Sequence, residues 1–97
     1  MKLANLGEIK RFVSADSRAE SALTNWVTVV RGSEWRNFAQ VKNTCGRSTD
    51  KVGRFAVFNV DGNKYRIIAE IDFEFQSVRI HEVLSYAEYD RGKWRDK

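Results

Sequence analysis

Residues 55–85 read FAVFNVDGNKYRIIAEIDFEFQSVRIHEVLS. Runs rich in Val, Ile, Phe and Tyr are separated by short polar breaks, the pattern of an antiparallel meander. Asp61-Gly62 is a strong signal for a two-residue type I′ turn. Such a turn sets Val60 opposite Asn63, Asn59 opposite Lys64, Phe58 opposite Tyr65 and Val57 opposite Arg66. Residues directly opposite share a face. One face then carries Ala56, Phe58, Val60, Tyr65, Ile67, Ala69, Ile71 and Phe73, and reads as core. The other carries Phe55, Val57, Asn59, Lys64, Arg66, Ile68, Glu70 and Asp72, and is mixed. A four-residue turn at 74–77 adds a third strand over residues 78–84. It pairs Phe73 with Val78, Ile71 with Ile80, Asp72 with Arg79, Glu70 with His81 and Arg66 with Ser85.

The chain before this meander has a different period. Leu3, Leu6, Ile9, Phe12 and Val13 recur at helical spacing and predict a short first helix with Gly7 as a soft spot. Asp16 or Ser17, with Glu20 three or four residues on, forms the signature of a capping box. Ala19, Ala22, Leu23, Trp26, Val27 and Val30 then make a full amphipathic stripe. Gly32 ends this second helix, and a short third piece follows around Trp35, Phe38, Ala39 and Lys42. Residues 43–53, NTCGRSTDKVG, read as a loop, and the tail AEYDRGKWRDK as polar with at most one helical turn. The expected architecture is a single α+β domain over residues 1–97. Two to three N-terminal helices cover one face of a small antiparallel sheet, and the mixed face is left for solvent or a ligand.

Composition narrows the function classes. The 97 residues are 42% hydrophobic and 12% aromatic, enough apolar content to close a core in a domain of this size. A single Cys excludes an internal disulfide, and with a single His it excludes a Cys/His zinc cage. No apolar run approaches the roughly 18 residues of a membrane helix, and the opening MKLANLGEIKR is too charged for a secretion signal. The expected setting is the cytoplasm, away from membranes. A net charge of +4 points to an anionic partner, nucleic acid first.

The mixed face is where chemistry would gather. Near its hairpin end it carries Asn59, Lys64 and Arg66, with Ser85 and Tyr86 close by, while Arg54, Lys51 and Arg47 arrive from the preceding loop and Arg79 from the last strand. Arg binds phosphate oxygens bidentately and stabilises pentacoordinate charge. Lys adds a point charge, and Tyr can stack a base or relay a proton. The competing reading is a solvated outer face with ordinary cations. His81 is either a general base or a cross-strand polar partner of Glu70. Glu70, Asp72 and Glu74 alternate along one strand and would offer oxygens to magnesium, but two of them have cationic partners in this register. Cys45 has no His neighbour in the loop. Neither a Walker motif, GxGxxG, HExxH nor CxxC is present, so no cofactor and no metal is expected.

Taken together, residues 54–90, RFAVFNVDGNKYRIIAEIDFEFQSVRIHEVLSYAEYD, resemble the HigB family of host-inhibition toxins, a branch of the RelE-like messenger-RNA interferases. The family pattern is an FN-hydrophobic-GGN-xxR hairpin, a strand ending in a hydrophobic-Ile-x-x-Val run, and a THxEYD close. Here it appears as Phe58-Asn59-Val60-Asp61-Gly62-Asn63, Tyr65-Arg66, Ile80 with Val83, and Ala87-Glu88-Tyr89-Asp90. The resemblance implies metal-independent cleavage of mRNA, commonly on translating ribosomes, and a cognate helix-turn-helix antitoxin. It implies Arg66 as the principal cation, with Asn59, Asn63, Glu88, Tyr89 and Asp90 matching the hairpin and the close. Glu88 and Asp90 are also candidates for purely structural capping. The family's Thr-His is Ser85-Tyr86 here, so the acid or base falls to Tyr86 or to His81. The expected catalytic set is Arg66, Tyr86, Lys64, Arg54 and His81. The expected RNA contacts are Asn59, Lys51, Arg79, Tyr89 and Lys93. The rival expectation is a non-catalytic RNA-binding or antitoxin-binding module.

Overall fold

The chain opens with a strand. In the computed structural model, which describes residues 1–92 and 94, β1 (Lys2–Ala4) is followed by α1 (Gly7–Ala15), a 3-10 turn (Ser17–Ala19), α2 (Glu20–Arg31) and α3 (Phe38–Cys45). Then come β2 (Asp50–Val52), β3 (Phe55–Val60), β4 (Tyr65–Asp72), β5 (Ser77–Ser85) and a short α4 (Tyr86–Asp90). The five strands form one sheet in the order β1-β5-β4-β3-β2. All neighbours are antiparallel except β1, which runs parallel to β5. The α+β class expected from the sequence is the one observed.

The helices cover the face that strand alternation marked as core. Leu23, Trp26 and Val30 of α2, Trp35 and Val41 pack with Ala56, Phe58, Val60, Tyr65, Ile67, Ala69, Val78, Ile80 and Val83. Trp26 meets Phe58 edge-on at 5.2 Å, and Phe12 meets Tyr65 at 5.5 Å. Burying each large side chain is worth about 1.5–3 kcal/mol, so this layer dominates the fold's stability.

Several local expectations are corrected. Leu3 lies in β1 rather than in the first helix. Lys2 to Ala4 pair with Ser77 to Arg79, and Asn5 turns the chain at φ 68 before α1 begins at Gly7. The capping box expected at Asp16 or Ser17 with Glu20 does not form. Asp16 caps the 3-10 turn by accepting from Arg18 N, and α2 starts behind Ala19 without a side-chain cap. The expected 43–53 loop contains the end of α3 and the edge strand β2. In β2, Asp50, Lys51 and Val52 pair with Val57, Ala56 and Phe55.

Both hairpin registers differ from the expected ones. Val60 faces Tyr65 and Asn59 faces Arg66, so the connection is the four-residue loop 61–64. Asp61 and Gly62 still take positive φ, but the backbones of Asn63 and Lys64 are engaged elsewhere. The Asn63 carbonyl accepts from the Arg66 guanidinium, and the Lys64 carbonyl accepts Tyr86 N at 2.9 Å. The shift is two residues, and an even shift keeps every side chain on its face. Near its turn the β4–β5 pairing is displaced by two as well, with Asp72 facing Ser77 and Glu70 facing Arg79. A bulge then intervenes: Ala69 faces Ile80, Ile68 faces Glu82, and His81 is the extra residue. Beyond it the register has changed parity. Arg66 faces Leu84 rather than Ser85, and Ser85 faces Tyr65. His81 therefore does not stand opposite Glu70.

Candidate active site

The outer sheet face is not left open. The bulge turns Leu84 onto it, where Leu84 joins Phe55, Val57 and Ile68 in a second apolar cluster closed by Trp94. Helix α4 lies at the edge of this cluster. Ser85 is its N-cap in a complete capping box: Ser85 Oγ accepts Glu88 N at 3.2 Å and Glu88 Oε1 accepts Ser85 N at 3.0 Å. Glu88 is thus a structural cap. The box starts one helical turn, in which Tyr86 and Tyr89 stand at i and i+3 and share a side. Both rings close on the Arg66 guanidinium, at 5.1 Å and 5.4 Å from ring centre to Cζ.

Arg66 projects to the outer face, as alternation requires, but it is only 5% exposed. Its Nη1 donates to the carbonyls of Asn63 (3.2 Å) and Tyr65 (3.0 Å), and its Nη2 to Asn63 Oδ1. Three of the five guanidinium N–H groups are therefore spent on the hairpin. Asn63, matched in sequence to the family hairpin, is the residue that orients Arg66. Tyr89 is held in turn by Trp94, stacked at 5.4 Å, and its carbonyl accepts Trp94 Nε1 at 3.2 Å.

Beside this sandwich is an open cavity of about 350 Å³ lined by Asp16, Arg18, Asp61, Lys64, Tyr65, Ser85, Tyr86 and Ala87. Tyr86, 45% exposed, is the wall shared between the cavity and Arg66. Lys64 reaches Asp61 at 3.7 Å, an exposed pair that costs little to open. The structure thus brings together Arg66, Tyr86, Lys64 and Tyr89.

The remaining candidates lie apart. The Arg54 guanidinium sits 4.8 Å over the Phe55 ring and pairs with Glu70 at 3.6 Å. His81 stacks on Phe55 at 4.7 Å with a buried, unpartnered Nε2. It stands four residues before Ser85, about 13 Å along a strand, and does not line the Lys64 cavity. Arg79 is exposed opposite Glu70. Lys51 and Arg54 line a separate cavity with Phe38, Phe55, Ile71 and Phe73. Asn59, half-buried opposite Arg66, borders the groove below α2 and α3. Lys93 lies outside the described residues.

The sequence reading gave two residues of the cavity no part in the site. Asp16 and Arg18 precede α2, and no local pattern places them beside a hairpin some fifty residues later. Hydrogen bonds from Arg18 hold the Asp16 carboxyl below its ordinary pKa, and the carboxylate raises that of Arg18. Elsewhere, Asp72 Oδ1 caps its turn by accepting from Glu74 N and Phe75 N, both at 3.0 Å. Burial pushes the Cys45 thiol up to about 11, which keeps it protonated and unsuited to nucleophilic attack.

The α+β fold thus combines a five-stranded sheet, helices on one face and a Tyr-bracketed arginine on the other. A model of the HigB toxin family, described as the RelE-like toxic component of a toxin-antitoxin system, matches residues 19–92. The match spans well over half of the chain, and the chain belongs to this family. Over 34 residues it is 50% identical to the mRNA interferase toxin HigB of Escherichia coli (strain K12), covering 35% of this chain and 33% of that protein. The mRNA interferase HigB of Shigella flexneri matches to the same extent. The aligned stretch is about a third of the length of these curated relatives. Among the described residues, no helix is long and apolar enough to cross a membrane.

Proposed function

We propose that this protein is an endoribonuclease toxin that cuts mRNA, in association with translating ribosomes and without a metal ion, and that a helix-turn-helix antitoxin neutralises it. The observation that carries this reading is the Arg66 guanidinium clamped between Tyr86 and Tyr89, with Tyr86 also lining the cavity that receives Lys64. The membership and the names of the relatives agree with it.

In the proposed reaction the RNA 2′-hydroxyl attacks its own phosphorus. The P–O5′ bond breaks, leaving a 2′,3′-cyclic phosphate and a 5′-hydroxyl. Lys64, exposed on a flexible stem, meets the non-bridging oxygens and neutralises the phosphorane. Arg66 contributes its fixed charge from behind the Tyr86 ring and the N–H groups that the hairpin does not use. Tyr86 relays the proton and stacks the neighbouring base. Tyr89 keeps Arg66 in place. Arg54, His81, Arg79 and Lys51 serve as contacts for RNA running along the sheet, away from the scissile bond. Asn59 and Lys93 complete the proposed RNA contacts.

Tyr86→Phe tests this directly, because it removes one hydroxyl and leaves the ring over Arg66. The wild-type protein should cut mRNA in a translating extract at discrete positions and leave cyclic-phosphate ends. Tyr86→Phe should lower the rate about 10²–10⁴-fold while melting as wild type does. RNA binding without any cleavage, by wild type with free mRNA in EDTA and in the extract, would instead assign this face to a non-catalytic module.

A further inference from the structure

We propose that Arg18, presented by Asp16 at the end of α1, grips the RNA backbone at the phosphate next to the scissile one. The inference rests on the nuclease reading above and extends its site onto the helical layer. The 3-10 turn Ser17–Ala19 faces the hairpin end across the cavity that Lys64, Ser85 and Tyr86 line. Asp16 Oδ1 accepts from Arg18 N (3.2 Å) and Nε (3.0 Å), and Oδ2 accepts from Arg18 Nη2 at 3.3 Å. The same Oδ2 accepts the Tyr65 hydroxyl at 3.4 Å. Tyr65 is 6% exposed and part of the core, so the guanidinium is tied to the rigid sheet through Asp16.

The anchored side chain is still 87% exposed. A free arginine gives up rotamer entropy when it binds; here two bonds to Asp16 already restrict it. Two of the five guanidinium N–H groups face Asp16, and three remain for a ligand. Arg66 shows the opposite distribution, being buried with three donors spent on the hairpin. One buried arginine does not span two successive phosphates. An exposed, pre-oriented fork on the cavity that Tyr86 shares with Arg66 supplies the second contact, and a planar fork matches phosphate oxygens. Asp16 offsets part of its charge but leaves the guanidinium ionised, so Arg18 neutralises one phosphate while its remaining N–H groups direct the contact. That favours an ordered backbone over a diffuse polyanion.

The test uses a short single-stranded 2′-O-methyl RNA, which binds but is not cut, with affinity measured across a salt series. Arg18→Gln should bind about tenfold or more weakly. Its slope of log affinity against log salt should be shallower by about 0.7, with the urea midpoint nearly unchanged. Arg18→Lys, which keeps the charge and loses the fork, should recover only part of the affinity. Arg36→Gln, an exposed arginine paired with Glu34 outside the cavity, should bind as wild type does. If Arg18→Gln matches wild type, or Arg36→Gln loses as much, the inference falls while the nuclease reading stands on the Tyr86→Phe result. If wild type cuts mRNA yet does not bind this RNA, the inference alone falls. If it neither cuts nor binds, both fall.

Discussion

Replacing Arg66 with alanine removes three donor bonds and two ring contacts in one step, and the fold should register the loss before the chemistry does. One bond, to the Tyr65 carbonyl, is fully buried, and the two to Asn63 are half-buried. Charged hydrogen bonds contribute about 1.5–3 kcal/mol when well formed, and each ring contact about 0.5–1 kcal/mol. Releasing a buried guanidinium to solvent returns several kcal/mol of desolvation. The carbonyls left without a donor cost about 1–3 kcal/mol in their turn. The net expectation is a loss of about 3 kcal/mol. A domain of this size has about 5–15 kcal/mol in total, so the variant folds but is visibly weakened. With a urea slope near 2 kcal/mol/M, the midpoint should fall by about 1.5 M. Any loss of the proposed nuclease activity in Arg66→Ala is therefore interpretable only beside this curve. A midpoint lowered by less than about 0.3 M would refute the reasoning, because the clamp would then contribute nothing to stability.

Trp94→Ala should cost about 3–5 kcal/mol, because Trp94 is 2% exposed and closes the outer cluster. Trp94→Phe should recover most of it, and both can be read in urea. Asp16→Asn should be less stable than wild type at neutral pH. The Asp16 carboxyl titrates lower in the folded state, so its contribution is fully present above its unfolded value of about 3.9. It disappears as pH falls through the lower folded value. The two midpoints should therefore converge in acid and stay separated by a constant amount from pH 5 to 7. Cys45, with its thiol pushed up to about 11, should alkylate at pH 8 about two to three hundredfold more slowly than a free cysteine, whose ordinary value is about 8.5. Iodoacetamide labelling followed by mass spectrometry measures that rate.

Much of the site was legible because strand alternation is local. Ile67, Phe58 and Tyr65 had to share a face with Ala69, and Arg66 with Ile68, whichever even register the hairpin chose. The motif at residues 58–66 and the close at 85–90 likewise singled out Asn63, Arg66, Tyr86 and Tyr89, which the fold does bring together. His81 could not be placed, because a two-residue shift gives Glu70 to Arg79 and a bulge leaves His81 as the extra residue, and no residue type announces either. Arg54 was grouped with Arg66 because the loop before β3 was expected to bring it to the hairpin end. The fold keeps the two apart, and Phe55 and Glu70 claim Arg54 instead.

By itself the amino-acid order determined the helical and β halves, the side of the sheet that the helices cover, and the direction of the Arg66 side chain. These follow from periods of 3.6 and 2, which neighbouring residues alone express. Tertiary structure decided that Lys2–Ala4 and Asp50–Val52 are strands, since three residues carry no period and become β only against a partner. It also decided that Trp94 and α4 roof the outer face, that Arg66 is buried beneath two tyrosines, and that Arg18 stands across the cavity from Lys64. Those outcomes depend on contacts between residues tens of positions apart. Their energies come from burial and hydrogen bonding that exist only once the chain has closed on itself.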